Sequence, residues 1–372
     1  MINKSATMEL FIKLLQASSI TPDDAGLLEL IAKELPQFNG IRIDTNGVKN
    51  LFLSRSWGDG VHLAFAGHVD VVPPGVGWET NPFEPQIMGD KIVARGAQDM
   101  KSGVCAFVRA CQEIEEFDGT LSLILTSDEE GPAKYGTLEV LKYLKEHNNL
   151  PDMAIVAEPT CEEYFGDAIK IGRRGSINGI LEIKGIQGHA AYPQKTLNPL
   201  HVIAPHMGKI AGYYFDQGDE FFAPSQLVMT DLRSGMEVTN VTPGELKMMF
   251  NVRNSTLTNT QTIEEYLKSI LEGVSYSLRL DESAKPFCAS KDAPIVKALE
   301  DSILKHVSIK PKHSTAGGTS DARFLAEFGI QTIEFGVKND SIHAPNEYTS
   351  LDDVSKLATI FYDTIKNLKE YL

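Results

Sequence analysis

An α/β layered sheet, covered by helices on both faces and interrupted by a smaller inserted α+β domain, is the fold class this sequence predicts. Three observations predict it. Short apolar runs alternate with longer amphipathic ones over the first part of the chain, as strands alternating with helices do. After about residue 174 the texture changes to a period-two apolar/polar alternation, the mark of half-exposed antiparallel strands. From about residue 288 the first texture returns. The division follows as 1–174 with 288–372 for one domain and 175–287 for the insert.

The elements read in order. Residues 6–17 and 24–35 carry apolar residues at helical spacing, with "TPDD" as a cap before the second. "NLFLS", "VHLAFAG" and "KIVARG" are expected strands and "SGVCAFVRACQEIEEF" a helix. "TLSLILTS" (strand), "TLEVLKYLKEH" (helix) and "DMAIVAE" (strand) follow. In the insert, "SINGILEIKG" and "ELKMMFNVR" are strands, with helices near 196–212 and 261–273. The last part supplies a helix over 292–306, a loop "STAGGTSDARF", a strand "IQTIEFG" and a terminal helix over 350–371.

Composition narrows the function classes. The chain has 372 residues, 42% of them hydrophobic, which is ample for a core. A formal charge of −15 argues against nucleic acid or an anionic membrane as partner. No apolar run approaches the ~20 residues of a membrane span, and "MINKSATMEL" lacks the apolar core of a signal peptide, so a cytoplasmic protein is expected. Cys105, Cys111, Cys161 and Cys288 are scattered without C-x-x-C spacing and read as reduced packing residues.

Chemistry gathers where the predicted strands end, the edge at which such sheets bind ligands. His68 and Asp70 follow "LAFAG", Asp99 follows "KIVARG", Glu129 and Glu130 follow "TLSLILTS", Glu158 follows "DMAIV", and His343 lies downstream of "IQTIEFG". Singly, each is an ordinary capping or solvated residue. Together, two imidazoles and several carboxylates suit zinc or a similar divalent ion. The absence of H-E-x-x-H excludes the single-helix metalloprotease arrangement. The same residues could hold two metals if one carboxylate bridges them. His68 and Asp70 share a side of extended chain, so the Asp70 carboxylate is expected to accept the free imidazole N–H. In "TSDEEGP", adjacent residues of an extended segment project to different sides, so Glu129 and Glu130 do different jobs, while Asp128 reads as a turn acid binding backbone N–H groups.

The segments "GHVDVVPPG", "RGAQDMKSG", "TSDEEG", "AEPT" and "IHAPNE" resemble, in order and along essentially the whole chain, the dinuclear zinc aminoacylase/carboxypeptidase superfamily. Within it, "VVPPG" with "W..NPF", "GRRGS", "GHAAYP", "NVTPGELKMMFNVR" and "GGTSDARF" are most similar to the succinyl-diaminopimelate desuccinylases. The resemblance implies a mixed zinc-exopeptidase-like sheet with a dimerisation insert. It implies two Zn²⁺, replaceable by Co²⁺ or Mn²⁺: His68 and Glu158 on one, Glu130 and His343 on the other, Asp99 bridging. Asp70 would support His68, Glu129 would act as general base and then acid, and His189 would help stabilise the oxyanion, in trans across a homodimer. Three ligand carboxylates against two dications leave about +1, roughly zero with Glu129 ionised, so recognition of an anionic substrate falls to arginine. Arg174, Arg253 and Arg323 are the candidates, with Tyr192, Asn240, Gly318 and Thr319 beside them. The implied reaction is hydrolysis of N-succinyl-LL-2,6-diaminopimelate to succinate and LL-2,6-diaminopimelate in lysine biosynthesis. An acetylornithine deacetylase, a dipeptidase or a fold-retaining binding protein stay open as alternatives. A cis Asp99–Met100 peptide bond is expected from the same resemblance.

Overall fold

The computed structural model describes residues 2–372. The chain forms two compact units. One comprises the chain up to Gly172 with Cys288–Ser314 and Ser320–Leu372, the other Arg173–Phe287 with Thr315–Thr319. The smaller unit thus takes in Arg174 and a short downstream strap, both of which the sequence reading had given to the larger one.

The larger unit is built on an eight-stranded mixed sheet. Its order is Asn39–Arg42, Asn50–Ser56, Gly119–Thr126, Val61–His68, Met153–Val156, Gln331–Glu334, Ala168–Lys170, Lys312–Ser314. Gly119–Thr126, Val61–His68, Met153–Val156 and Gln331–Glu334 run parallel, and the first two strands pair antiparallel at one edge. Val61–His68 is buried at nearly every position, which explains a continuous apolar run where a one-sided sheet would alternate. Helix Lys101–Gln112, buried from Lys101 to Cys111, packs on that strand and on helices Lys4–Gln16 and Leu351–Asn367. Phe65 lies between Phe107 and Phe361, with ring centroids 5.4 and 5.2 Å away. Gly103 is required here, because a Cβ would stand 2.3 Å from the Ala157 carbonyl oxygen. That close approach presses the helix start against the segment that carries Glu158. The buried ammonium of Lys101 donates to the carbonyls of Leu14 and Ala17 at 3.0 and 2.9 Å, closing the C-terminal end of the first helix. Burial pushes its pKa down to about 7. A separate three-stranded antiparallel sheet joins Gln86–Met88, Lys91–Val93 and Tyr348–Ser350.

The smaller unit is a four-stranded antiparallel sheet ordered Leu227–Ser234, Glu245–Val252, Ser176–Lys184, Ser277–Ala284. Its core combines Ile177, Leu181, Met248 and Phe250 with Ile263 and Leu267 of helix Thr260–Ile270. The outer strands escape the sequence reading because their alternate residues are charged and half exposed, as in "SLRLDESA", which dilutes the period-two signal. The expected helix over 196–212 is broken into Pro199–Ile203, a 3₁₀ turn Ala204–His206 and Met207–Ile210. Pro205 in its middle lacks the N–H a continuous helix needs. The terminal helix ends at Asn367 in a 3₁₀ turn, and the loop after residue 314 contains a short helix, Ala322–Glu327. Among the described residues no helix is long and apolar enough to cross a membrane.

Candidate metal centre

Three adjacent parallel strands of the large sheet deliver part of the cluster from one edge. His68 is the last residue of Val61–His68, Glu129 and Glu130 follow Gly119–Thr126, and Glu158 follows Met153–Val156. The sequence reading placed Asp99 and His343 at strand ends of this sheet as well. Instead they lie on loops flanking the three-stranded sheet, six residues after Lys91–Val93 and five before Tyr348–Ser350. His343 has φ +60°, and the Asp99–Met100 peptide bond is cis, as expected.

The side chains converge in two groups that share Asp99: His68, Asp99 and Glu158, and Asp99, Glu130 and His343. In each, one potential ligand atom per residue lies within 4.8 Å of the others. His68 Nε2 is 3.2 Å from Asp99 Oδ1 and 3.7 Å from Glu158 Oε1. His343 Nε2 is 3.4 Å from Asp99 Oδ2 and 3.0 Å from Glu130 Oε1. The two oxygens of Asp99 therefore serve opposite groups. Ligands ~2.0–2.1 Å from a tetrahedral ion stand ~3.4 Å apart, so both groups have the spacing a divalent cation requires. The tautomer agrees: His68 Nδ1–H donates to the backbone carbonyl of Asp70 at 2.8 Å, leaving Nε2 as an acceptor facing Asp99. The expected partner was the Asp70 carboxylate. Its nearer oxygen is 3.7 Å from Nδ1, while the other accepts the Glu130 N–H at 3.2 Å. Asp70 fixes His68 through its main chain and Glu130 through its side chain.

The protein groups alone are strained electrostatically. Burial disfavours charge on His68, yet Asp99, Glu158 and Glu129 carry its pKa well above the ordinary value. Hydrogen bonds to Asp99 and Glu130 lift His343 to about 10. Burial would raise Asp99, but the two imidazoles outweigh it and hold that carboxyl below the carboxylate range. Burial, then the charge of Asp99, raises Glu158. This is a site where several acids compete for too few cations, and it fits a metal pair. Glu129 belongs to neither group. Its Oε2 stands 4.0 Å from His68 Nε2, and burial with the charge of Asp321 pushes its pKa up to about 8. Asp128 has the turn role expected, accepting the N–H groups of Lys134 and Tyr135 at 2.9 and 3.0 Å.

His189, Tyr192, Arg174, Asn240, Arg253, Gly318 and Thr319 all belong to the smaller unit. His189 pairs with Val241 in a two-stranded ladder, and its Nδ1 accepts the Ala191 N–H at 3.1 Å, so the neutral ring carries its proton on the exposed Nε2. The Asn240 carbonyl binds the Ala190 N–H at 2.9 Å. Burial, then the like charge of Arg253, holds Arg174 below its ordinary pKa, and its Nε is buried with no hydrogen-bond partner among the described residues. Arg323 lies in the larger unit, its guanidinium 4.5 Å from the ring centroid of Phe324.

Several residues that organise the site were not singled out from sequence. Glu347, fully buried, accepts N–H bonds from Gly96, Gln98 and Asp99 and pairs with buried Arg95 at 2.6 Å. Buried Asp321 accepts from Thr137 Oγ1 at 2.6 Å and faces Glu129 electrostatically. Arg173, next to the Arg174 that was chosen, donates to the carbonyls of Ala316 and Gly318 and holds the Thr315–Thr319 strap within the smaller unit. The only available signal was position, since Arg95, Glu347 and Asp321 all lie inside the quoted motifs.

Known proteins resemble this chain in sequence and in fold. The family model described as Peptidase family M20/M25/M40 matches residues 64–367. A protein named succinyl-diaminopimelate desuccinylase from Nitratiruptor sp. is 59% identical, over 97% of this chain and 99% of its own. A protein of the same name from Sulfurimonas denitrificans is 56% identical over 98% and 100%. Among solved structures, aminopeptidase PepT from Bacillus cereus superposes with a TM-score of 0.81 at 21% identity, covering 99% of both chains. A Bacillus subtilis protein described as a dinuclear metal binding peptidase from the M20 family gives 0.73 at 14% identity, with 99% of both covered. These two likenesses establish the fold. With the family model spanning most of its length and relatives above half identity along nearly all of it, this chain belongs to Peptidase family M20/M25/M40.

Proposed function

We propose that this chain is a two-metal amidohydrolase that releases succinate from N-succinyl-LL-2,6-diaminopimelate, a step of lysine biosynthesis. The observation that carries the chemistry is the pair of ligand groups sharing Asp99, with Glu129 4.0 Å from His68 and in neither group. The substrate rests on the shared name of relatives at 50–59% identity. His68 and Glu158 would hold one ion, Glu130 and His343 the other, and Asp99 both; zinc suits the mixed nitrogen and oxygen donors, and cobalt or manganese could replace it. Such ions, when bound, lower the pKa of a water to ~7 and polarise the scissile carbonyl. Glu129 takes the proton lost as the new C–O bond forms, then delivers it to the amine nitrogen as the C–N bond breaks. Arg174 and Arg253 would bind substrate carboxylate, a role that the unpartnered Nε of Arg174 supports. Tyr192, Asn240, Gly318 and Thr319 would line the same region.

The reading includes a homodimer made through the smaller unit. The edge strand Leu227–Ser234 supports it, with Val228 and Leu232 exposed on it. His189, whose Nε2–H is free to donate, would then complete the partner's oxyanion site. Mixing inactive His189→Ala with inactive Glu129→Ala chains under exchange conditions should restore roughly a quarter of full activity by random two-fold pairing. Exchange without recovery removes the trans role. A cytoplasmic location completes the proposal, consistent with the buried free thiols of Cys105, Cys111 and Cys161. The whole is tested by metal analysis together with N-succinyl, N-acetyl and dipeptide substrates. A preference for N-acetylornithine or a dipeptide overturns the substrate, and metal uptake with no turnover of any of them overturns catalysis.

A further inference from the structure

Asp99 and His343 are not placed by the large sheet, yet their side chains meet with a 3.4 Å contact that half of the ligand cluster depends on. Two side-chain links, one through Glu347 with Arg95 and one through Gln98, join the segments that carry them, across about 245 residues of sequence. Glu347 gathers Gln98 and Asp99 N–H on Oε1, at 2.7 and 3.0 Å, and Gly96 N–H and Arg95 Nη1 on Oε2, at 3.0 and 2.6 Å. Arg95 Nη2 continues to the His343 carbonyl at 3.2 Å. Gln98 makes the second link. Its Oε1 accepts from Ser341 N at 2.7 Å, Asp340 N at 3.2 Å and Ser341 Oγ at 3.2 Å. Its Nε2 donates to Asp340 Oδ1 at 2.7 Å and the Tyr348 carbonyl at 3.2 Å. The Gln98 side chain is thus satisfied almost entirely by residues on either side of His343, and it is only 1% exposed. None of these hydrogen bonds is to a ligand side chain.

We propose that Gln98, acting with the Arg95–Glu347 pair, is the positioning residue that sets His343 against Asp99 and so fixes the affinity of the outer metal position, leaving the inner one unaffected. A side chain that is both donor and acceptor is needed, because the loop offers it N–H groups and a carboxylate at once. The inner position takes His68 and Glu158 from strand ends of the large sheet and shares only Asp99 with this link, and the Asp99 N–H is held by Glu347 and not by Gln98. The inference rests on the two-metal reading.

The test is calorimetric titration of Zn²⁺ into chelator-stripped wild type, Gln98→Met and Gln98→Glu. Methionine keeps the volume and removes every polar contact. Glutamate keeps the acceptor but sets a like charge against Asp340. Wild type should take up two ions. Both variants should bind the inner ion unchanged and the outer one about 10–100-fold more weakly. Excess zinc should then restore kcat with KM unaltered. Unchanged outer affinity in both variants overturns the inference. So does equal weakening of both positions with a lowered melting temperature of the stripped protein, the signature of a merely structural residue. Wild type that binds fewer than two ions overturns the two-metal reading itself, and the comparison of variants keeps that outcome distinct.

Discussion

His68 and Glu158 stand at the ends of two paired parallel strands, their side chains 1% and 9% exposed, whereas His343, across Asp99 from them, is 49% exposed on a loop. The inner half is therefore positioned by sheet hydrogen bonding and core packing, which the whole domain maintains. The outer half takes Glu130 from a third strand end, but its His343 is positioned by a few side-chain bonds to backbone, made by Glu347, Arg95 and Gln98. A single chain uses two methods of placing ligands within one cluster. On the proposed reading, the difference predicts that occupancy of the two positions can be altered separately, and that Glu129, which belongs to neither group, can be altered without either.

The largest effect tests that last separation. Glu129→Gln should lower kcat by about 10³-fold, within the range for loss of a general base, with metal content unchanged by mass spectrometry. Glu130→Gln should instead lose metal. Equal metal loss in both would merge Glu129 with the outer half and break the comparison.

Next comes the contrast between the two imidazoles. In stripped protein, His68→Ala should cost about 2–4 kcal/mol in urea denaturation, since it leaves buried acids without their partner. His343→Ala should cost less, about 1 kcal/mol, because its ring is half exposed, and on reloading with metal it should lose only the outer ion. Equal destabilisation would show that exposure is not what distinguishes the halves.

A third measurement sharpens the account of the strand. His62, at the opposite end of Val61–His68, is buried with Nε2 2.8 Å from Ser122 Oγ, and burial lowers its pKa to about 4. The folded state keeps it neutral while an unfolded chain protonates it near 6.5. Its stabilising contribution is complete above about pH 6.5 and declines as pH falls toward 4, by on the order of 3 kcal/mol. His62→Gln should flatten the pH dependence of stability in that window. An unaltered slope would show that His62 is not held neutral by the fold.

The smallest effect concerns the other unit. Arg253→Ala should raise KM for a succinylated substrate about tenfold, the loss of one charge-assisted hydrogen bond, with both metals retained. An unchanged KM would take Arg253 out of substrate recognition.

The same division decides how much could be read from the sequence. His68, Glu129, Glu130 and Glu158 were legible because each follows a short apolar run, and the edge of a parallel sheet gathers such ends. The strands Gly119–Thr126 and Met153–Val156 were legible for the same reason, being buried on both faces. Asp99 and His343 were found as residues, but their setting was not, because loops carry no periodicity. The Glu347 and Gln98 contacts join positions about 250 residues apart through backbone atoms, and nothing in local composition encodes such pairing. Leu227–Ser234 and Ser277–Ala284 were missed because solvent on one face lets charge interrupt their pattern. Near 196–212 the amphipathic spacing runs on through Pro205, which interrupts the helix that the spacing predicts.

One feature of the large sheet bears on how the molecule is made. Strand Gln331–Glu334 lies between Met153–Val156 and Ala168–Lys170, which are near neighbours in sequence. As the chain leaves the ribosome, the first half can assemble the hairpin edge and the three strands that carry His68, Glu130 and Glu158. It must then keep a vacant lane in the sheet while the whole smaller unit is synthesised. Domains emerge and fold from the N-terminus, and contacts so distant in sequence form last. The segment from Gln331 onward fills the lane, brings in His343 and seats Glu347 under Asp99. A nascent chain therefore holds most of its ligands early but gains a complete centre only once the segment from His343 to Glu347 has joined it.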